Sequence, residues 1–254
     1  MEILVCIKRV PATGAKMILT EDEQAIETRN LGFAISPHEE CAVEEGVRLV
    51  EAHGGNVTVL TLGAAVAEEQ LRDSLAVGAE RAILLETDGS EWGPMATAVA
   101  IIEAVRTQQQ EGVNFDMLLF GNESADSGGY QVGIRVAHAL DMPCVTGIKG
   151  LEVKGDTAVA RREVSGGWEV FEVSLPAVFT VKEGINLPRY PSLPGRRRAK
   201  KKTISQFEPQ RNSSGMERIR LKTPAEQAGQ AEILGEGTAA VAKAVEVLKD
   251  LGVI

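Results

Sequence analysis

The feature that most constrains the fold is an alternation of short apolar runs with amphipathic segments over the first 140 residues. Each apolar run is rich in aliphatic or aromatic residues and is short enough to be a strand buried on both faces. The runs lie at 3–7, 57–62, 81–85 and 115–120. Because segments with helical spacing separate them, the alternation predicts a doubly wound, mostly parallel sheet with helices on both faces.

The clearest helix signal follows the first predicted strand. The residues Ser36-Pro37-His38-Glu39 have the pattern of a capping box, with a hydroxyl at the N-cap, Pro at the first helical position and a carboxylate at the third. We expect this helix to end at Gly54. Further helices are predicted before Gly78, after Pro94 and through Val132, Val136 and Leu140.

The pattern changes from about residue 151. Short β-like segments separated by Gly or Pro follow, and we interpret them as an added β segment that includes the run AVFTV at 177–181. The stretch 205–235 is polar with little periodicity and predicts an extended arm. Helical spacing returns at 238–251, so the arm is expected to end in a helix.

The basic run RRRAKKK at 196–202 has three interpretations. It is typical of a solvated linker or strand edge, where cations also discourage edge-to-edge aggregation. It also resembles a nucleic-acid patch. The net charge of −9 argues against general nucleic-acid binding, and we expect no nucleic-acid partner. A third interpretation, electrostatic steering of a protein partner, follows from the resemblance described below.

The number and spacing of particular residues argue against metal sites, disulfides and membrane spans. The cysteines Cys6, Cys41 and Cys144 are widely spaced and form no CxxC pair, which indicates neither a zinc site nor a disulfide framework. The three histidines share no metal-ligand spacing. No apolar run approaches the roughly 18 residues that span a membrane, and no signal peptide is evident. We therefore expect a cytoplasmic protein without membrane insertion.

The loop GNESADSGGYQVG at 121–133 lies between a predicted strand and a predicted helix. Ligands of open parallel sheets bind beyond the carboxyl ends of the strands, and helix N-termini attract anions. Gly128 and Gly129 would let the backbone approach a ligand. Glu123 and Asp126 would repel phosphate, and suit ribose or adenine hydrogens better. Since GxGxxG and GxxxxGK[ST] motifs are missing, a plain turn and a phosphate pocket both stay open.

Two consecutive segments carry a family resemblance. They read REVSGGWEVFEVSLPAVFTV at 162–181 and KEGINLPRYPSLPGRRRAKKK at 182–202. Together with CIKRVP at 6–11 and SPHEECAVEEGVRL at 36–49, they resemble the beta subunit of electron transfer flavoprotein. The resemblance covers nearly the whole chain except 205–235. Departures include Ser165, Phe171 and Leu187, and an aromatic residue that some members place near the flavin is missing from Pro11–Gly14.

The resemblance implies an electron carrier subunit rather than an enzyme acting alone. It implies a heterodimer with an alpha subunit that holds most of one FAD, and an AMP on the beta chain. Dehydrogenases would donate the electrons, and a membrane-linked, quinone-linked oxidoreductase would accept them. The division implied is a nucleotide-binding α/β domain at 1–190 and a recognition loop, basic run and arm at 191–254.

The resemblance also assigns sites by position. The nucleotide-binding positions are Cys6, Ser36, Pro37, His38, Glu39, Leu62, Gly121, Asn122, Glu123, Ser124, Ala125, Asp126, Ser127, Gly128, Gly129, Tyr130, Gln131 and Val132. The backbone of 128–132 would hold the phosphate, with side-chain contacts from Asp126 and Gln131. The recognition loop for partner dehydrogenases includes Tyr190, Leu193 and Pro194, with Leu193 as the apolar anchor.

Three alternatives compete with this interpretation. A bifurcating subgroup of the family binds a second FAD in place of AMP, but its usual residues differ from those at 41–44 and 125–128, which favours AMP. An adenine-nucleotide hydrolase or adenylyl transferase would share the sheet, but no catalytic lysine or Gly-rich ATP loop is evident. A nucleotide-sensing module without flavin is the third class.

Overall fold

The structure is a computed structural model that describes residues 1–12, 14–211, 219–224 and 232–254. From residue 33 to residue 139 strands and helices alternate, as the sequence predicts, and two further strands precede them. The strands are β1 Glu2–Ile7, β2 Arg9–Pro11, β3 Phe33–Ile35, β4 Asn56–Gly63, β5 Arg81–Glu86, β6 Met117–Gly121, β7 Cys144–Lys154, β8 Thr157–Val164, β9 Gly167–Ser174, β10 Ala177–Val181 and β11 Ile204–Phe207. The helices are α1 Pro37–His53, α2 Glu68–Val77, α3 Pro94–Gln110, α4 Val132–Ala139, α5 Leu193–Ala199 and α6 Val241–Asp250.

Nine strands form one sheet in the order β11-β5-β4-β1-β6-β10-β7-β8-β9. All pairs from β11 to β7 are parallel, and only β7-β8 and β8-β9 are antiparallel. From β1 the chain first builds outward through β4 and β5, and then crosses to β6 on the other side. This reversal places a topological switch point between β1 and β6, where ligands of such sheets bind. The predicted doubly wound, mostly parallel sheet is confirmed.

Helices cover both faces of the sheet because strand side chains alternate between the faces. In β1, Ile3 and Val5 belong to the core that α1 and α2 complete. Leu4 belongs to the opposite core, which α3 and α4 complete. Side chains on both faces of β1 are therefore buried, which explains why the strand is continuously apolar.

The prediction that placed the run at 177–181 in the added β segment was wrong. As β10, this run lies between β6 and β7 in the parallel part of the sheet, and all five of its residues are buried. The hairpin β8–β9 is the real antiparallel extension, and the strand that leads into it begins at Cys144 rather than 151. Because the run follows the β8 and β9 segments along the chain, the sequence suggested that it pairs with them. Its side chains are buried on both faces, however, and such a strand is favoured in the centre of a parallel sheet.

The first four residues of the basic run, 196–199, lie in helix α5, and residues 200–202 form the turn that links this helix to β11. Helix α5 packs on α2 so closely that a Cβ added to Gly195 would lie 2.3 Å from the Ala76 carbonyl oxygen. The Arg72 guanidinium donates to the carbonyl oxygens of Ala199 and Lys202, each at 2.6 Å, at the carboxyl end of α5. Tertiary contacts therefore support a short, highly charged helix that its sequence alone does not indicate.

The C-terminal part is only partly described. Strand β11 joins the sheet edge beside β5, so the region predicted as an arm begins in a strand, and 212–218 and 225–231 lie outside the described residues. The predicted last helix is present as α6, preceded by a 3₁₀ turn at Gly237–Ala240. The division at residue 190 stays a prediction. No helix in the described ranges has both the length and the apolar character that a membrane span requires.

Candidate functional site

A cleft of about 430 Å³ opens at the switch point of the sheet. It lies beyond the carboxyl ends of β6 and β10, against the first turn of α1. The residues that line it are Ser36, Pro37, His38, Glu123, Ser124, Ala125, Asp126, Ser127, Gly128 and Glu183. The structure thus brings together the two segments, 36–39 and 121–132, that the sequence analysis singled out.

The first turn of α1 uses its capping residues differently from the prediction. Ser36 is the N-cap and is fully buried, but its hydroxyl does not cap the helix. It donates instead to the Glu123 carbonyl oxygen at 3.5 Å, across the base of the cleft. The predicted Ser36 side-chain cap is therefore wrong, because the serine joins α1 to the loop after β6.

Glu39 lies beneath the cleft in close contact with the end of β6. A Cβ added to Gly121 would lie 2.6 Å from Glu39 Cγ, so only glycine fits at this position. The carboxylate of Glu39 accepts a hydrogen bond from the Lys8 backbone N–H. Burial raises the pKa of Glu39 to about 8, against the smaller opposing effects of the Lys8 amide and charge. Glu39 is therefore largely protonated at neutral pH.

Lys8 and Asp126 form an ion pair at the rim of the cleft. Lys8 Nζ lies 2.6 Å from Asp126 Oδ2, and the Ser127 backbone N–H donates to Asp126 Oδ1 at 2.7 Å. Burial raises the pKa of Asp126, but the Lys8 charge and hydrogen bonds outweigh it and the net shift is downward. Asp126 is therefore a carboxylate, and its side chain faces a cation rather than open solvent.

His38 connects α1 to the segment after β10. Its Nδ1 accepts a hydrogen bond from the Glu183 backbone N–H at 2.7 Å, so in the neutral ring the proton sits on Nε2. That Nε2 lies 3.4 Å from Glu123 Oε1. A hydrogen bond to Glu123 also raises the pKa of Tyr130, whose backbone has a left-handed φ of 54°. One carboxylate thus faces both His38 and the turn before α4.

The loop after β6 is anchored to the strands beside it. The Thr180 hydroxyl donates to Asn122 Oδ1 and accepts from the Gly147 backbone N–H, each at 2.9 Å. The Asn122 N–H donates to the Val181 carbonyl oxygen at 2.8 Å. These bonds fix the start of the loop on β10 and β7, so the residues that follow have a defined position over the cleft.

Some predicted site residues lie outside the cleft lining. Cys6 and Leu62 pack in the core beneath α3 and α4, and burial raises the pKa of the Cys6 thiol strongly. Gln131 Oε1 is engaged by the Arg135 guanidinium at 2.8 Å. Gly129, Tyr130 and Val132 follow the lining residues at the start of α4.

Two residues of the site were missed by the sequence analysis. Lys8 directly follows β1, and its position at a carboxyl strand end would have indicated it. Glu183 follows β10, and it could not be placed at the cleft while β10 was assigned to the added β segment.

The segment predicted as a recognition loop is anchored by the Arg189 side chain, while its predicted residues face solvent. Tyr190 is 97 % exposed and Leu193 is 76 % exposed, and Pro194 is also exposed. The preceding residue Arg189 donates to Glu44 at 2.8 Å and to Glu51 at 2.6 Å on α1. We call residues 187–194 the docking segment.

The fold and the cleft define a doubly wound α/β protein with a ligand-sized opening at its switch point. The model of the electron transfer flavoprotein domain family matches residues 25–212. Three relatives share the printed name electron transfer flavoprotein subunit beta. The protein of Bacillus subtilis (strain 168) is 37% identical over 208 residues, 82% of this chain and 79% of that protein.

The other two relatives extend the match over almost the full chain. The protein of Syntrophomonas wolfei subsp. wolfei is 34% identical over 251 residues, 98% of this chain and 96% of that protein. That of Thermoanaerobacterium thermosaccharolyticum is 34% identical over 244 residues, 93% of this chain and 91% of that protein. This chain therefore belongs to the electron transfer flavoprotein family, on its beta-subunit side. Its role is in electron transfer.

Proposed function

We propose that this chain is the beta half of a heterodimer and binds AMP in the switch-point cleft, while an alpha subunit holds most of one FAD. Dehydrogenases deliver electrons to the flavin, and a quinone-linked oxidoreductase accepts them in the cytoplasm or at the membrane surface. The observation that carries the proposal is the convergence of the first turn of α1 and the loop after β6 on one cleft. Both segments come from the residues that carry the family resemblance.

The groups around the cleft fit an adenylate. The carboxylates of Glu123 and Asp126 are acceptors for ribose hydroxyls or an adenine amino group. The hydroxyls of Ser124 and Ser127 lie 2.8 Å apart and provide donors. These groups suit the polar parts of a nucleotide, and Gly121 lets the end of β6 pack directly on Glu39 beneath the cleft.

Backbone donors for a phosphate lie at the start of α4. Among the described residues, the N–H groups of Gly129, Tyr130 and Gln131 have no protein partner, whereas that of Gly128 donates to the Ser124 carbonyl oxygen at 3.0 Å. Unpaired N–H groups before a helix favour an anion. We propose that the amides from Gly128 to Val132 hold the phosphate, and that Asp126 and Gln131 supply side-chain contacts to the other polar parts of the nucleotide.

The size of the cleft supports a mononucleotide over a second FAD. Its volume of about 430 Å³ lies toward the lower part of the roughly 300–1,000 Å³ typical of ligand pockets. AMP has no redox chemistry, so its binding here is structural and stabilises the folded subunit in proportion to the logarithm of free AMP over its dissociation constant. The flavin supplies the electron-carrying chemistry, and the protein positions it.

Two surfaces support a role in protein contacts. The docking segment exposes apolar side chains beside the basic helix α5, which suits a transient contact steered by charge. Helix α6 buries no residue against the described part of the chain, although Val241, Val245 and Leu248 form an apolar stripe. We propose that this stripe packs on the alpha subunit.

The decisive experiment is a count of cofactors on the purified heterodimer. After co-expression with an alpha chain and denaturation, we expect one AMP and one FAD per heterodimer by chromatography and absorption. Two FAD and no AMP would identify the bifurcating arrangement. A heterodimer without nucleotide and without affinity for AMP or FAD in the beta chain would contradict the proposal.

A further inference from the structure

The side chains that line the cleft are more acidic than basic, although the proposed ligand carries a negatively charged phosphate. Three of its lining residues are the carboxylates Glu123, Asp126 and Glu183, and among the described lining residues none is Lys or Arg. Backbone amides carry only partial charges. A full positive charge beside the lining would therefore offset these carboxylates and strengthen the binding of a phosphate.

Lys8 lies where its ammonium can supply this positive charge. Its Nζ lies 2.6 Å from Asp126 Oδ2 and 3.5 Å from Ser127 Oγ, and both of these residues line the cleft. The side chain of Lys8 is 33 % exposed, so the ammonium reaches solvent at the cleft rim. An ammonium has three donors, and the carboxylate and hydroxyl contacts leave one available for a ligand oxygen.

The backbone of Lys8 is fixed beneath the same cleft. Its N–H donates to the buried Glu39 carboxylate, which packs against Gly121 at the end of β6. Lys8 directly follows β1, a strand at the centre of the parallel sheet. The ammonium is therefore presented from a rigid element, and the Asp126 carboxylate orients it at the rim.

We propose that Lys8 is the residue that recognises the phosphate of the nucleotide, an inference that rests on the AMP-binding function proposed above. Ser124 and Ser127 add hydroxyl donors beside the ammonium, since their Oγ atoms lie 2.8 Å from each other. Asp126 keeps its contact with Lys8 and sets the direction of the ammonium. Lys8 thereby discriminates a nucleoside monophosphate from the nucleoside that lacks the phosphate.

The test compares AMP with adenosine, by calorimetry on the heterodimer stripped of bound nucleotide. Lys8→Met is expected to weaken AMP binding roughly 10- to 100-fold, the loss that corresponds to one hydrogen bond to a charged group. Adenosine binding should be unchanged, because adenosine presents no phosphate. Lys154→Met is the matched control, because Lys154 is 74 % exposed at the end of β7 and pairs only loosely with Glu152 at 3.9 Å.

A second measurement on the unmodified protein keeps the test decisive if Lys8→Met fails to fold. Acetylation of Lys8, followed by mass spectrometry, should slow when AMP is present and should not change with adenosine. Equal AMP affinity in the Lys8→Met and unmodified proteins, or equal Lys8 acetylation with and without bound AMP, would overturn the inference and leave AMP binding intact. If the unmodified protein binds neither AMP nor adenosine, the proposed function itself fails.

Discussion

The cleft and the docking segment differ in what the chain holds in place. In the cleft, side chains are paired with one another: Lys8 with Asp126, and His38 with Glu123 and the Glu183 amide. In the docking segment the anchor comes from Arg189, while Tyr190 and Leu193 are left exposed. These paired polar groups suit the proposed binding of a small ligand in the cleft. The docking segment presents exposed apolar side chains beside an anchored arginine, which suits the proposed transient protein contact.

The largest effect of a single substitution on stability is expected beneath the cleft, at Gly121. Gly121→Ala places a Cβ 2.6 Å from Glu39 Cγ, and the overpacking should lower the free energy of unfolding by about 1–3 kcal/mol. AMP binding should fall as well, because the loop after β6 is displaced. Urea unfolding and calorimetry measure the two effects. Gly129→Ala is the control for stability, since no heavy atom lies within 4 Å of its added Cβ.

A somewhat smaller effect on stability is expected from a substitution at Arg189, which should loosen the docking segment and leave the cleft unchanged. Arg189→Met removes the guanidinium hydrogen bonds and the positive charge from the buried Glu44 carboxylate, which keeps only the backbone N–H of residue 189 as a donor at 3.2 Å. We expect a loss of about 1–2 kcal/mol in the free energy of unfolding and faster proteolysis within 187–194. Arg48→Met is a matched control on the same helix, because Arg48 reaches Glu45 only at 3.7 Å. Equal protease sensitivity of the two variants would show that Arg189 does not anchor the segment.

The buried carboxyl of Glu39 predicts a pH dependence confined to the cleft side. Its pKa is about 8 in the folded chain against 4.5 for an ordinary glutamate, so the folded state holds a proton that the unfolded state releases between these values. This contribution to stability is fully present below pH 4.5 and is lost as pH rises toward 8, by at most about 1.4 kcal/mol per pH unit. Glu39→Gln should remove it. Unfolding measured from pH 5 to pH 8 checks this: a slope identical in both proteins would contradict the assignment.

The smallest effect on stability, and the sharpest on function, is expected at Leu193. Because Leu193 is 76 % exposed, Leu193→Ala should change the free energy of unfolding by less than about 0.5 kcal/mol. Electron transfer from a cognate dehydrogenase should slow, while flavin and AMP contents stay the same. Leu187→Ala, at 90 % exposure, tests whether any exposed leucine of the docking segment acts as the anchor. Unchanged rates for Leu193→Ala would remove the anchor role.

The sequence predicted those strands and helices that are specified by a few adjacent residues. The apolar runs and the Ser36–Glu39 pattern located β1, α1, β4 and β5 because burial on both faces and helix initiation leave marks in a few adjacent residues. The sheet order is not local, so the central place of β10 was missed, and Glu183 with it. Helix α5 depends on Gly195 fitting against Ala76, which no short-range pattern reports.

The same limit applies to the candidate site. Glycine and carboxylate residues after β6 marked the loop, but the sequence did not show that Lys8 pairs with Asp126 across more than a hundred intervening positions. The role expected of the Ser36 hydroxyl was wrong for a related reason. The Ser36 hydroxyl was expected to accept from a backbone N–H of its own helix, but it donates to the Glu123 carbonyl oxygen in a distant loop instead.

The place of β10 has a consequence for how the chain assembles as it leaves the ribosome. Strand β6 is made early, but its second neighbour emerges only after the β8–β9 hairpin has been synthesised. Until then the β6 edge carries unsatisfied backbone groups and is open to pairing with other nascent chains. The hairpin connects β7 to β10, and its rapid local closure would deliver the missing strand to that edge before a stray chain does.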